Sequence, residues 1–289
     1  MKLKEILKES DYSKNPVQKK FNEFMDDIVS SGKYSDALNS KVEFWRGIRS
    51  DLKTGFIIQD SSKFSQDRYT KGIIFLSWNN IQKVVPEWSK FPNRNRSIIF
   101  TNNKKHATIF SNNIVKVFPI NGAKIGVAPT DYNYFNEWPK LKKYFEDEGN
   151  SFIVDGFVDL FRAIIILNRN DPTNTKTISN PSAENYFAKH YNSFIKLYNK
   201  NIIDKIKFND IYNNELHSFL ATLEKEFNGN LKKMMDTLLS PSKNNFEVIT
   251  TKKLNSVTGE NQELWTEDKC LMVDRFLYDE WLDNKESKK

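Results

Sequence analysis

The strand-forming runs of this chain fall into two groups, kept apart by the helical stretch 136–240, and that spacing constrains the fold more than any other feature. The first group lies within 41–135. It comprises Val42-Glu43-Phe44-Trp45, Gly72-Ile73-Ile74-Phe75-Leu76, Ser97-Ile98-Ile99-Phe100 and Ile114-Val115-Lys116-Val117-Phe118, separated by polar or Gly/Pro/Asn-rich stretches. The second lies within 241–282 and comprises Phe246 to Thr251, Glu263 to Thr266 and Cys270 to Asp274, followed by an amphipathic stretch from Phe276 to Leu282 and a polar tail, 283–289. Three short strands cannot enclose a core of their own, so the second group is expected to complete the sheet begun by the first. The fold class expected is α+β: a mixed or antiparallel β core with an N-terminal helical region and a helical insertion.

The helices read from their apolar spacing. Within the N-terminal region 1–40, Val17, Phe21, Phe24, Met25 and Ile28 recur at helical intervals, and Ser30-Ser31-Gly32 reads as a stop. Within 136–240 four apolar faces follow one another, through Trp138 to Phe145, Tyr186 to Tyr198, Tyr212 to Phe227 and Leu231 to Leu238. Residues 168–182 form a polar loop with two prolines.

Composition removes several function classes. Hydrophobic residues make up 38% of the 289, enough for a packed core. The longest apolar run, Ala163 to Leu167, is far too short to span a bilayer, and the opening Met1-Lys2-Leu3-Lys4-Glu5 leads into no apolar stretch with a cleavage site. A cytoplasmic protein is expected. Cys270 is the single cysteine, so no internal disulfide forms, and it is expected to be a buried strand thiol. With only His106, His190 and His217, none at ligand spacing, no metal is expected. The ten glycines build neither a phosphate-binding loop nor a dinucleotide fingerprint. A net charge of +7 fits an anionic partner, nucleic acid included, or equally the Lys/Asn/Ile/Phe bias of an AT-rich genome.

Three short segments carry candidate chemistry. In Phe44-Trp45-Arg46-Gly47-Ile48, Arg46 is costly to bury without an anion, and Gly47 permits close approach to the backbone. From spacing alone, an edge-strand arginine facing solvent, with Gly47 at a bulge, is the plainer explanation. In Arg94-Asn95-Arg96-Ser97-Ile98-Ile99-Phe100, a basic turn feeds a strand whose first residue, Ser97, could orient a ribose hydroxyl or could simply close the turn. In Glu263-Leu264-Trp265, a carboxylate stands at the mouth of a late strand. Fixed there, it could stabilise an oxocarbenium-like transition state of glycosidic cleavage, or it could be one more of 37 acidic residues.

Taken together, an Arg-Gly on an early strand, a Ser-led strand followed by a helix, and a Glu on a late strand resemble the ADP-ribosyltransferase superfamily. The segment from Ser97 to Phe110 is similar to the strand–turn–helix element of its poly-ADP-ribose polymerase branch, and bacteriophage proteins with an Arg-Gly strand and an Arg-Ser segment are the nearest likeness. The resemblance covers roughly 42–120 and 246–278. It implies NAD as substrate, no metal, and transfer of ADP-ribose to a protein or nucleic-acid acceptor. Arg46, Ser97 and Glu263 would then form the catalytic set. Gly47 would meet the nicotinamide carboxamide, Arg46 and Arg96 the pyrophosphate, and Phe100 or Phe110 would stack on nicotinamide. Ser77 is a rival to Ser97. Asn261 stands two residues before Glu263, where the arginine-modifying branch often has Glu or Gln, so that specificity is not implied. A phage origin implies the host cytoplasm or the virion, and with it two other functions: a catalytically inactive structural or assembly protein, or a basic nucleic-acid-binding protein.

Overall fold

The computed structural model describes residues 16–63, 85–129, 140 and 225–287. The strand expected at Gly72–Leu76 with Ser77, the loop 168–182 and most of the helical faces of 136–240 lie outside the described residues. The chain divides into two units. The first contains the described residues 16–63, 92–129 and 248–287, and the second 85–91, 140 and 225–247.

The protein is α+β. Among the described residues eight strands form one sheet: β1 (Trp45–Gly47), β2 (Phe56–Gln59), β3 (Ile98–Thr101), β4 (Ile114–Pro119), β5 (Lys124–Val127), β6 (Glu247–Thr250), β7 (Glu263–Thr266) and β8 (Cys270–Asp274), in the order β2-β8-β4-β1-β3-β7-β5-β6. The pairings β1–β3, β1–β4, β2–β8, β3–β7, β4–β8 and β5–β7 are antiparallel. The late strands enter at three places, β6 beside β5, β7 between β3 and β5, and β8 between β2 and β4.

Helix α1 (Pro16–Ser31) begins with proline, whose fixed φ suits the first turn, and stops at Gly32, where φ is 65°. Its buried face is Phe21, Met25 and Ile28. Phe24 stacks on Phe56 of β2 at 3.6 Å between ring centroids. The short α2 (Ser35–Leu38) follows. Helix α3 (Lys104–Thr108) leaves β3 through Asn103, whose side chain accepts from the His106 amide. The C-terminal helix α5 (Arg275–Glu286) is capped by Asp274, which accepts from the amides of Phe276 and Leu277. It bonds α1 through Trp281 Nε1 and Asp26 Oδ1 (3.1 Å).

Pairing register fixes which side chains share a face, because successive residues alternate. Lys116, Trp45, Thr101 and Glu263 form one cross-strand row. The neighbouring rows point the other way. Phe44, Ile98, Phe100, Val115, Val117 and Leu264 belong there to one apolar core cluster. Cys270 is fully buried beside them, and burial pushes its thiol far above the usual range.

In the second unit, α4 (Leu231–Leu238) buries Met234, Met235 and Leu238, the face expected from its spacing. Trp88 packs edge-on to Phe246 at 5.2 Å and donates its indole N–H to the Leu239 carbonyl. Among the described residues, no helix is long and apolar enough to cross a membrane.

Candidate functional site

Glu263 begins β7, one of four consecutive buried positions in that strand. A carboxylate so placed needs a cation or several hydrogen bonds. Both of its oxygens are taken by Arg94: Nε donates to Oε1 at 2.7 Å and Nη2 to Oε2 at 3.0 Å. The two side chains are only 10% (Arg94) and 6% (Glu263) exposed. This is the planar fork-to-fork pairing for which guanidinium is suited.

Two turns hold the partners in place. The Arg94 side is a single 3-10 turn, Arg94–Arg96, capped by Asn93, whose side chain accepts from the Asn95 amide. The Ser97 hydroxyl closes it on the Asn93 carbonyl at 2.8 Å, and the Asn93 amide donates to Glu267 Oε2. Trp265 pins the same segment to β7 by donating to the Pro92 carbonyl at 2.9 Å. Its ring lies against Gly126 of β5, where a Cβ would fall 2.3 Å from the nearest ring atom, so glycine is what fits.

On the Glu263 side, the turn from Gly259 to Gln262 has Asn261 at φ 58°, a left-handed position that asparagine tolerates. Asn102 spans this turn, donating to the Gly259 carbonyl (2.6 Å) and accepting from the Gln262 amide (2.8 Å). Its carboxamide thereby extends the β3–β7 ladder one step past Thr101 and Glu263. Asn103 donates to the Asn261 side chain, and Gln262 anchors the turn to the carbonyls of Ala128 and Pro129.

His106, one turn into α3, is buried. Burial pushes its imidazole below the usual range, while the nearby charge of Glu263 pulls the other way. At the far end of the row, Lys116 is enclosed by the rings of Trp45 and Tyr278 and paired with Glu43 and Asp279, each at 2.8 Å. Among the described residues there is no group of three or more His, Cys, Asp or Glu side chains placed to hold a metal ion.

The expected site residues divide into those gathered near Glu263 and those used elsewhere. Arg46 follows Trp45 and so faces away from Glu263. Its Nη1 donates to the Ile99 carbonyl at 2.5 Å, and burial holds the guanidinium below its usual range. The reason lies in the pairing. β1 meets β4 at all three of its residues but β3 only at Trp45↔Thr101, and Arg46 bridges the seam beyond that point. Gly47 shares the Glu263 face, but what comes close to it is protein: a Cβ would sit 2.6 Å from the Ala107 carbonyl oxygen and 2.9 Å from the Ser111 amide. Ser97 is fully buried and spends its hydroxyl on the turn, which agrees with the plainer of its two sequence readings. Phe100 is a core residue, packed edge-on against Phe44 on the apolar face, and is not presented for stacking beside Glu263. Phe110 is 65% exposed, packs edge-on to His106, and remains the accessible aromatic of the pair. Arg96 is exposed.

Arg94 and His106 are what sequence reasoning missed as site residues. An arginine in a polar turn reads as solvated, and the one signal for it was indirect: a carboxylate in the otherwise apolar run Glu263-Leu264-Trp265 demands a cationic partner from some other segment. No family model, curated protein or solved structure matches the chain.

Proposed function

We propose that this protein binds NAD and cleaves its nicotinamide–ribose bond in the manner of the ADP-ribosyltransferases, passing ADP-ribose to a protein or nucleic-acid acceptor. One observation carries the reading. The strand bearing the Arg-Gly pair, the strand that the Arg-Ser segment leads into and the strand bearing the late Glu are consecutive neighbours, β1-β3-β7, in the middle of the sheet. A single site built from those three segments requires that adjacency, and local propensity does not impose it.

In this mechanism the C–N glycosidic bond breaks and its electron pair leaves with nicotinamide. The positive charge that develops on the ribose is stabilised by the Glu263 carboxylate, held in place by the Asn102-clamped turn. The acceptor's nucleophilic atom then bonds to the ribose and gives up its proton. Phe110 supplies an aromatic surface, and Arg94 and Arg96 supply guanidinium groups for the diphosphate.

The test is release of nicotinamide and transfer of label from labelled NAD, with wild type beside Glu263→Gln. Loss of turnover by about 100-fold or more is expected, the size of one well-placed electrostatic group. Equal turnover in the two proteins would end the assignment of Glu263. The enclosure of Glu263 by Arg94 favours a second reading, in which the fold is kept without catalysis and the chain serves as a structural or assembly protein. Absence of NAD binding by the wild type, with stable co-assembly with a partner, would select it.

A further inference from the structure

We propose that Arg94 is an exchangeable cover for Glu263, and that the diphosphate of an incoming nucleotide draws the guanidinium off the carboxylate and so exposes it. The inference rests on the reading of Glu263 as the carboxylate that meets the ribose. With both oxygens bonded to Arg94 and the side chain 6% exposed, Glu263 can meet a ribose hydroxyl only after Arg94 moves. A guanidinium fork fits phosphate oxygens as well as it fits a carboxylate, so a diphosphate offers Arg94 an equivalent partner, and one bearing more charge.

The surroundings confine the motion to one side chain. The backbone beneath Arg94 is tied by Arg96 N to the Asn93 carbonyl and Ser97 N to the Arg94 carbonyl, besides the Ser97 hydroxyl and the Asn93–Glu267 bond. The backbone leading into Glu263 is tied by Asn102 and Gln262. When the ion pair opens, the guanidinium is therefore the part that swings and the carboxylate stays where it is. Arg96, exposed on the same turn, gives an arriving anion a first contact beside Arg94.

Competition between carboxylate and phosphate for one guanidinium makes a prediction opposite to that for an ordinary binding residue. Inorganic pyrophosphate is titrated calorimetrically into wild type, Glu263→Gln and Arg94→Met. Removing the carboxylate takes away the competing anion, so Glu263→Gln should bind pyrophosphate about tenfold more tightly, or better, and Arg94→Met about tenfold more weakly, the scale of one charge-assisted pair. Unchanged or weaker binding by Glu263→Gln would overturn the exchange. Should a variant fail to fold, the wild type decides without it: the Arg94 Nε–H resonance, assigned by through-bond correlation to the Arg94 backbone, must shift as pyrophosphate is added, and a stationary signal refutes the idea. Tighter binding in Glu263→Gln with no NAD turnover in wild type would remove the catalytic reading and leave the exchange. Turnover without that gain would do the reverse.

Discussion

The two ends of one cross-strand row treat a buried charge in different ways. At one end Lys116 is 8% exposed, but its partners Glu43 and Asp279 are 57% and 55% exposed, so their carboxylates keep most of their water. The cation itself rests between the Trp45 and Tyr278 rings, which attract it through their faces. At the other end Arg94 and Glu263 are both buried and bonded to each other at two points. Desolvating both members of a pair costs several kcal/mol per ion and is often no more stable than apolar packing of equal volume. The Lys116 end is thus an inexpensive clamp for the sheet and α5. The Glu263 end keeps a costly arrangement where distant segments converge, which is what the proposed function would call for.

The comparison breaks most readily at Glu263. Glu263→Gln leaves Arg94 buried against a neutral partner, and denaturant unfolding should report a loss of about 3–5 kcal/mol. The double change Arg94→Met/Glu263→Leu should recover most of that, because both charges go together. A double variant as unstable as the single one would mean that the pair is a structural staple and not a retained cost. Next in size is Asn102→Ala, which removes two hydrogen bonds from the turn ahead of Glu263 and should cost about 1–3 kcal/mol. If the proposed NAD cleavage holds, it should also lower kcat more than it raises KM, since it disturbs where the carboxylate stands; a change in KM alone would deny Asn102 that positioning role.

The smallest effect belongs to Lys116→Met, about 1 kcal/mol or less, because the methionine keeps the packing and the freed carboxylates are already hydrated. Its pH dependence sharpens the contrast. Burial works against the charged lysine, but the hydrogen bonds and charges of Asp279 and Glu43 outweigh it, and the group is lifted above its usual 10.5. A raised folded value means that the stabilisation is complete below 10.5 and is lost as pH climbs through the folded value. Wild type should therefore lose on the alkaline side a small increment of stability that Lys116→Met has already forfeited. Parallel alkaline curves would show that Lys116 contributes packing only.

Much of the sheet was legible along the chain. The runs at Ile114–Pro119, Glu263–Thr266 and Cys270–Asp274 are strands at nearly the expected limits because each is a short apolar run bounded by turn residues. Two strands were not legible. Phe56–Gln59 lies at the edge of the sheet with Ile57 and Ile58 partly exposed, so no alternation marks it. Lys124–Val127 contains Gly126, which reads as a turn until the Trp265 ring is seen lying on it. The first strand is shorter than its apolar run and begins at Trp45, leaving Phe44 to the core.

The sequence by itself determined the α+β class and the buried state of Cys270, which follow from side-chain periodicity, a local matter; attention to Glu263 came from the family resemblance, beyond what local pattern gave. Only the tertiary structure decided which arginine answers that carboxylate. Arg46 is one residue out of register with the Glu263 row and so faces the other side of the sheet, whereas Arg94, 169 residues away from Glu263 along the chain, is carried to it by the β3–β7 pairing. Strand register is set by long-range pairing, and a shift of one residue exchanges the two faces, so no local pattern could have told these two arginines apart.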